Sequence, residues 1–240
     1  MTDTDKPMDV VFTSPHPDDL EISCGGTIAK LAKLGYRVAM VHSTLGEPTP
    51  NGSDERRRAE AARAAEVLGA TTMEILSLQN REVMDAPASR YVLATAFRRY
   101  RPKIVVTMAG RTPLASPDHW QAELLAESSV FYSRLTKWDD RFDGTPPHTI
   151  DRLVYRQIPI GLKLVDWPTS FVMDVSETIE QKLEAVACYE SQFDAARLAM
   201  LQHWIRSTAG FEGGASGFAF GETFCLPRPH ATQDMVALIG

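Results

Sequence analysis

A repeating rhythm constrains this chain more than any other feature. Four times between residues 8 and 136, a short apolar run is followed by a longer amphipathic stretch. The short runs are "MDVVFTS" (8–14), "RVAMVHST" (37–44), "TMEILSL" (72–78) and "KIVVTMA" (103–109). Short, almost continuously apolar runs of this kind read as strands covered on both faces. The stretches between them, 20–35, 53–70, 89–102 and 118–136, read as helices, with stop signals at Gly35, Gly69 and Pro102. The second is rich in Ala, Glu and Arg, all strong helix formers. Strand and helix in alternation call for a parallel sheet with right-handed crossovers. The predicted class is therefore α/β, a doubly wound, mostly parallel sheet flanked by helices.

Past residue 136 the rhythm loosens. Residues 152–160 and 170–175 read as strands, and 176–193 as a helix opened by a capping box at Ser176. Residues 194–209 continue as helix, and 210–226 read as a glycine-rich loop followed by a short strand. That loop is a candidate rim over a crevice, or a plain connection. There is no internal repeat, low-complexity tract or clear linker, so residues 1–240 are expected to form one domain.

Composition narrows the function classes. A net charge of −6 argues against a nucleic acid or an anionic membrane as partner. No apolar run approaches the ~20 residues of a membrane span, and the polar, acidic start "MTDTDKPMDV" is unlike a secretory signal. Cys24, Cys188 and Cys225 form no CxxC pair and no disulfide framework. The expectation is a soluble, cytoplasmic protein with buried thiols, its oligomeric state left open.

The chemistry concentrates in "SPHPDDLE" (14–21), directly after the first predicted strand. One reading is a helix start, with Asp18 or Asp19 as cap and Glu21 favouring the helix N-terminus. The other is half of a metal site. Open α/β sheets place their ligands outside the carboxyl ends of the strands, where the strand order reverses. A second polar stretch, "SPDH" (116–119), follows the fourth predicted strand. If the strands run in the common order 3-2-1-4-5-6, the first and fourth are neighbours, and His16, Asp19 and His119 converge between them. Two imidazoles and a carboxylate with an open position suit a catalytic zinc. Asp18 is then left free, and a free carboxylate beside a bound divalent ion belongs to a metal-assisted hydrolase.

These residues resemble a known family. "PHPDDLEISCGGTIAKLAKLGYRVAMVHSTLGE" is similar to the signature opening of the PIG-L/LmbE-like N-deacetylases. "ERRRAEAARAAEVLGA" resembles that family's second helix, "SPDHWQA" its second metal motif, "KLEAVACYESQF" a later helix and "GFAFGETF" its closing strand. The resemblance implies a Rossmann-like fold and removal of acetyl or related acyl groups from amines, usually on N-acetylglucosamine conjugates. It implies zinc on His16, Asp19 and His119, and Asp18 as general base. It places Arg57 against substrate and Glu47 near the site, without a role for Glu47. Asp118 is expected beside the ligands, as a hydrogen-bond partner or a helix cap.

One position departs from that pattern. The family's second motif usually opens on a histidine that serves the leaving amine or the oxyanion, and here it is Ser116. A serine hydroxyl donates a hydrogen bond but does not titrate near neutrality. Asp18 could act as both base and acid, another group (Arg111, His148 or His230) could substitute, or the substrate could have an easier leaving group. Of the other candidates, Arg56 and Arg58 read as a solvated helix face, His42 as a satisfied core histidine, His203 as structural and Cys24 as packing. Trp120, Trp138 and Trp167 read as core packing before pocket walls. Gly25-Gly26 lacks the spacing of a dinucleotide loop.

The expected function is a zinc-dependent amide hydrolase that removes an acetyl or other acyl group from a small-molecule amine. An amino sugar of the N-acetylglucosamine type, or a conjugate of one, is the expected substrate, with one zinc per chain. Ferrous iron or cobalt suits the same ligands. The alternatives are a non-catalytic homologue that binds metal and ligand, and a tailoring deacylase acting on a non-sugar metabolite.

Overall fold

The computed structural model describes residues 6–49, 51–110, 112, 115–157, 169–229 and 233. Its elements are β1 (Val10–Ser14), α1 (Asp19–Lys33), β2 (Val38–His42), α2 (Asp54–Leu68), β3 (Thr72–Ile75), α3 (Pro87–Tyr100), β4 (Ile104–Ala109) and α4 (Asp118–Tyr132). A 3-10 turn (Asp139–Phe142) leads to β5 (Arg152–Gln157), β6 (Thr169–Asp174), α5 (Ile179–Ala187), α6 (Ala195–Gly214) and β7 (Gly221–Leu226). All seven strands of the described residues join one sheet in the order β3-β2-β1-β4-β5-β7-β6. The first five run parallel, and β7 pairs antiparallel with both β5 and β6.

The order places β1 beside β4, in register from Val10 opposite Ile104 to Thr13 opposite Thr107. Strand alternation divides the apolar side chains between two layers. Val10, Phe12, Val38 and Met40 pack with residues of α1, α2 and α5 on one face. Val11, Ala39, Val41 and Val105 pack with Leu93, Phe97, Leu125 and Ala126 of α3 and α4 on the other. Every residue of β1 and β2 is buried, as continuous apolar runs require. The doubly wound α/β class follows directly.

Local signals set the helix ends. Ser53 caps α2 by accepting the Arg56 N–H, and Gly69 closes it in the left-handed region at φ 72°. Pro87 opens α3 at its first turn, earlier than residue 89. The three thiols are unpaired, with Cys24 and Cys188 buried and Cys225 half-buried. No helix of the described residues is long and apolar enough to cross a membrane.

Three expectations need correcting. Ser176 does not open a helix: its hydroxyl donates to the Asp174 carboxylate at 2.7 Å, and α5 begins at Ile179. Residues 176–209 are not nearly continuous helix, since α5 stops at Ala187 and α6 restarts after Asp194, which caps it by accepting the Arg197 N–H. The glycines at 210–214 are helical rather than loop, because α6 runs to Gly214. At Gly213 the reason is closeness. A Cβ on Gly213 would lie 2.6 Å from the Phe220 carbonyl carbon and the Gly221 nitrogen. The turn after α6 hydrogen-bonds to Ser176 and Val175, so it folds onto the β6 end of the sheet and is no rim over the β1–β4 crevice. The 158–160 part of the predicted strand 152–160 lies outside the described residues.

The Gly213 contact is testable. Alanine there gains helix propensity but forces backbone apart, so Gly213→Ala is expected to lower unfolding free energy by about 1–3 kcal/mol. An unchanged urea midpoint would contradict the packing.

Candidate metal centre

Where β1 ends at Ser14, the chain crosses to α1 through a strapped turn. Asp18 sits in the left-handed region at φ 94°, a strained setting for a residue with a Cβ. Three interactions hold it there. The Asp18 carbonyl accepts the Ile22 N–H at 3.0 Å, so helical bonding starts immediately. The His16 N–H donates to Asp19 Oδ2 at 3.0 Å. Arg57 of α2, buried despite its charge, donates Nη2 to the Pro17 carbonyl at 2.9 Å and Nη1 to the Gly46 carbonyl at 3.3 Å. The same Nη2 reaches Asp18 Oδ2 at 3.5 Å.

Below the turn, Ser14 Oγ lies 2.9 Å from both the His16 carbonyl and His42 Nδ1. A carbonyl can only accept, so the hydroxyl proton goes to His16 and Ser14 accepts from His42 Nδ1–H. Burial pushes the His42 pKa down to about 4, which keeps that ring neutral. Its Nε2 has no partner among the described residues, so His42 is a core histidine only half satisfied.

The second arm comes from β4. After Ala109 the chain leads to α4, where Ser116 Oγ accepts the Asp118 N–H at 3.3 Å. The first turn of α4 then presents Asp118 and His119, both buried. His119 Nε2 lies 3.3 Å from Asp19 Oδ1, and His16 Nδ1 lies 3.2 Å from Asp19 Oδ2. Asp19 is thus held between two imidazoles whose ring centres are 5.6 Å apart. The far nitrogen of each ring is tied to protein. His16 Nε2 meets Asp118 Oδ2 at 3.1 Å, and His119 Nδ1 meets Thr112 Oγ1 at 2.9 Å.

His16, Asp19 and His119 form a group that could hold a cation. One ligating atom from each of His16, Asp19 and His119 lies within 4.8 Å of the other two, and all three residues are buried. Both ring nitrogens of His16 face carboxylates, which only accept, so without a cation each carries a proton; a cation on Nδ1 would take the place of the proton there, with Nε2–H still donated to Asp118. The electrostatics agree. Burial alone would lower the His16 pKa, but its bonds to Asp118 and Asp19, and the charges of Asp19 and Asp18, raise it to about 10. Burial would raise the Asp19 pKa, yet its bonds to His119 and His16 hold it far below the usual carboxylate range. Asp18 goes the other way: burial, then the charge of Asp19, push it up to about 7 despite Arg57. The site demands positive charge, and a divalent ion on two imidazoles and a carboxylate fits it.

The remaining predicted residues are also placed. Asp118 is the first residue of α4, not its cap, and accepts the Arg81 N–H at 2.7 Å besides His16. Glu47 accepts the Asn80 N–H at 3.4 Å through Oε1, and its buried Oε2 has no partner among the described residues. His148 donates Nε2–H to the Pro102 carbonyl, ahead of β4 and so at the opposite end of that strand from the site. Arg111, Trp167 and His230 lie outside the described residues. Arg56 pairs with Glu60 at 3.0 Å, and Arg58 is exposed. Trp138 and His203 are exposed rather than core, and Trp120 is half-buried. Cys24 is buried, its thiol pushed up to about 12 mainly by burial, and it is no ligand.

Sequence reasoning missed three participants. Thr112 and the Arg81 N–H each orient a group of the centre, and neither residue type signals it. Tyr189, which donates its hydroxyl to Glu21 at 2.7 Å, ties the first turn of α1 to the segment after α5.

Comparison with known proteins gives the lineage. The family described as PIG-L: GlcNAc-PI de-N-acetylase matches residues 11–129. Diacetylchitobiose deacetylase of Thermococcus kodakarensis is 31% identical over 223 residues, 89% of this chain and 80% of its own. The chain belongs to the PIG-L family. The family match runs from β1 into α4 and so contains His16, Asp18, Asp19, Arg57, Ser116, Asp118 and His119. A second relative, 4-oxalmesaconate hydratase of Pseudomonas putida, is 25% identical over 196 residues, 76% of this chain and 73% of its own. The crystal structure of the conserved protein TT1542 from Thermus thermophilus superposes with a TM-score of 0.81 at 29% identity, covering 95% of this chain and 98% of that one.

If Asp118 orients His16, Asp118→Asn will weaken divalent-metal binding by about 10–100-fold, as loss of such a partner does elsewhere. Titration of the metal-free protein with zinc measures it, and unaltered affinity would detach Asp118 from the centre.

Proposed function

We propose that this PIG-L protein is a metal-dependent N-deacetylase acting on an N-acetylated amino sugar or a conjugate of one. The observation that carries the reading is geometric. Three buried donor atoms face one point, and a fourth side chain, Asp18, stands beside them without joining their hydrogen bonds. The Thermococcus relative, aligned over 89% of this chain and 80% of its own, is named for deacetylation of diacetylchitobiose.

In this reading His16, Asp19 and His119 hold one divalent ion, with zinc the default for such ligands. When bound, the ion supplies Lewis-acid charge that acidifies water and polarises an acyl oxygen. Asp18 takes a proton from the attacking water, and Arg57 fixes the carboxylate that does so. The amide C–N bond breaks, the water oxygen leaves in acetate, and the amine departs protonated. Ser116 Oγ accepts the Asp118 N–H and donates to no group among the described residues, so its hydroxyl proton can hydrogen-bond the acyl oxygen. It cannot serve as the titrating acid, so Asp18 returns the proton to the amine.

A second reading has its own support. The hydratase relative shows that a chain alignable over most of this one can carry water addition instead of amide hydrolysis. Hydration adds the water oxygen to one carbon of a double bond and a proton to the other, so a single group such as Asp18 that takes the proton from water and returns it to carbon is enough, with no amine to release. Acetate release from N,N′-diacetylchitobiose or a glucosaminyl-inositol conjugate favours the deacetylase. Loss of conjugated absorbance from an unsaturated dicarboxylic acid favours the hydratase. Zinc near one per chain with neither turnover indicates a binding protein.

Asp18→Asn is expected to lower kcat for acetate release by about 10²–10⁴-fold while zinc content stays at one per chain. Chelation is expected to abolish activity and added zinc to restore it. Hydrolysis that persists undiminished in both experiments would refute the mechanism.

A further inference from the structure

Helix α1 is broken. Cys24 has φ −138° and ψ 21°, outside the helical region, so the element is a first turn, Asp19–Ser23, and a second segment running on to Lys33. A break in a buried helix frees carbonyls above it and N–H groups below it, and each must find a partner. Here both sets are met by charged side chains from the far side of the fold. The freed Ser23 carbonyl accepts from Arg156 Nε at 2.8 Å and Lys182 Nζ at 3.2 Å. The N–H groups of Gly26 and Thr27 donate to the two oxygens of Glu222, at 3.1 and 2.8 Å. Cations cap the end of the first segment and a carboxylate caps the start of the second, the signs that the helix dipole favours at each.

The four ions form one buried cluster. Lys182 Nζ lies 2.6 Å from Glu222 Oε1, and Arg156 Nη1 lies 2.9 Å from Glu212 Oε2. Each side chain is no more than 7% exposed. Gly26 lets the cap approach, because a Cβ there would sit 3.0 Å from Glu222 Oε1 and 2.8 Å from Val175 Cβ. That accounts for Gly25-Gly26 without a nucleotide. The segment above the break carries Asp19, whose carbonyl accepts from Ser23 Oγ at 2.6 Å. The residue whose carbonyl meets the cations therefore also bonds the backbone of Asp19.

We propose that Lys182, Glu222 and Arg156 are positioning residues for the metal centre, which fix the break in α1 and thereby the direction in which Asp19 presents its carboxylate. None of the three lies within the stretch matched by the family description. The inference rests on the metal-binding reading above. It makes the C-terminal third of the chain part of the site without touching it.

The test is the metal affinity and the cobalt(II) absorption bands of Glu222→Gln in the full-length protein. Leu93→Ala, in the core on the other face of the sheet, serves as a destabilised control. The expected result is binding of zinc and cobalt weakened about tenfold or more, with displaced cobalt bands, in E222Q and neither change in L93A. If E222Q alone does not fold, the double variant K182Q/E222Q, which removes the buried pair together, carries the same measurement. A folded variant with wild-type affinity and wild-type bands overturns the proposal. Wild-type protein that binds neither ion would instead remove the metal reading itself, so the two failures are distinguishable.

Discussion

Three buried carboxylates crowd around His16 where β1 and β4 end, Asp19 and Asp118 on its two ring nitrogens and Asp18 beside them, and the rest of the site is organised around keeping them there. Asp18, Asp19 and Asp118 have side chains no more than 16% exposed. Taking an unpaired carboxylate out of water costs several kcal/mol, so each needs positive charge or donors. Arg57 meets Asp18, two imidazoles meet Asp19, and the Arg81 N–H and His16 meet Asp118. These partners do not balance the charge at neutral pH unless a ring is protonated or a cation enters. The raised pKa of His16 expresses the same deficit. A proton on His16 and a divalent ion compete for one place, which is why a metal centre and a tightly hydrogen-bonded cluster look alike here.

The sheet supplies the convergence. Parallel strands present their carboxyl ends on one side, and an order that starts in the middle leaves β1 and β4 adjacent with their following helices on opposite faces. The connection after β1 carries His16 and the first turn of α4 carries His119, and the adjacency of the two strands brings them together. Rigidity comes from both layers: α2 sends Arg57 into the first turn, and α4 offers Asp118 and His119 from its own first turn.

Much of this was legible in residue types. Continuous apolar runs named the first four strands, and a cap or a glycine named the ends of α2. The donors were legible because His and Asp at strand ends are unusual in a core. The strand order was not. It was taken from the commonest arrangement, since nothing in residues 8–14 or 103–109 states that they pair. Partners acting through backbone were invisible: the Arg81 N–H would serve Asp118 from almost any residue type, and Thr112 is one threonine among many. The glycines at 210–214 misled because glycine normally breaks helices, whereas here α6 continues through them and at Gly213 passes so close to Gly221 that only glycine fits. Ser176 misled in a related way, since a hydroxyl near a helix start caps whichever acceptor or donor is nearer, and Asp174 is nearer than the helix.

Ser116 is where sequence and structure together say more than either alone. The sequence shows a hydroxyl where a histidine is usual, and the structure shows that hydroxyl accepting the Asp118 N–H at the start of α4. His148, the alternative within the described residues, is tied to Pro102 at the other end of β4. The described groups of the centre that hold a proton more tightly than usual are then Asp18, pushed up to about 7, and, without a cation, His16, which stays protonated at neutral pH. A cation on His16 removes the second, because a ligating nitrogen cannot carry a proton. In the proposed reaction, a proton delivered to the leaving group by the described residues passes through Asp18, the carboxylate whose pKa, with no cation bound, is pushed up to about 7 by burial and Asp19. A group poised there can take a proton in one step and return it in the next. In the proposed reaction, the serine at position 116 leaves proton transfer to Asp18, the neighbour of Asp19 that stands outside the hydrogen bonds joining Asp19 to the two imidazoles.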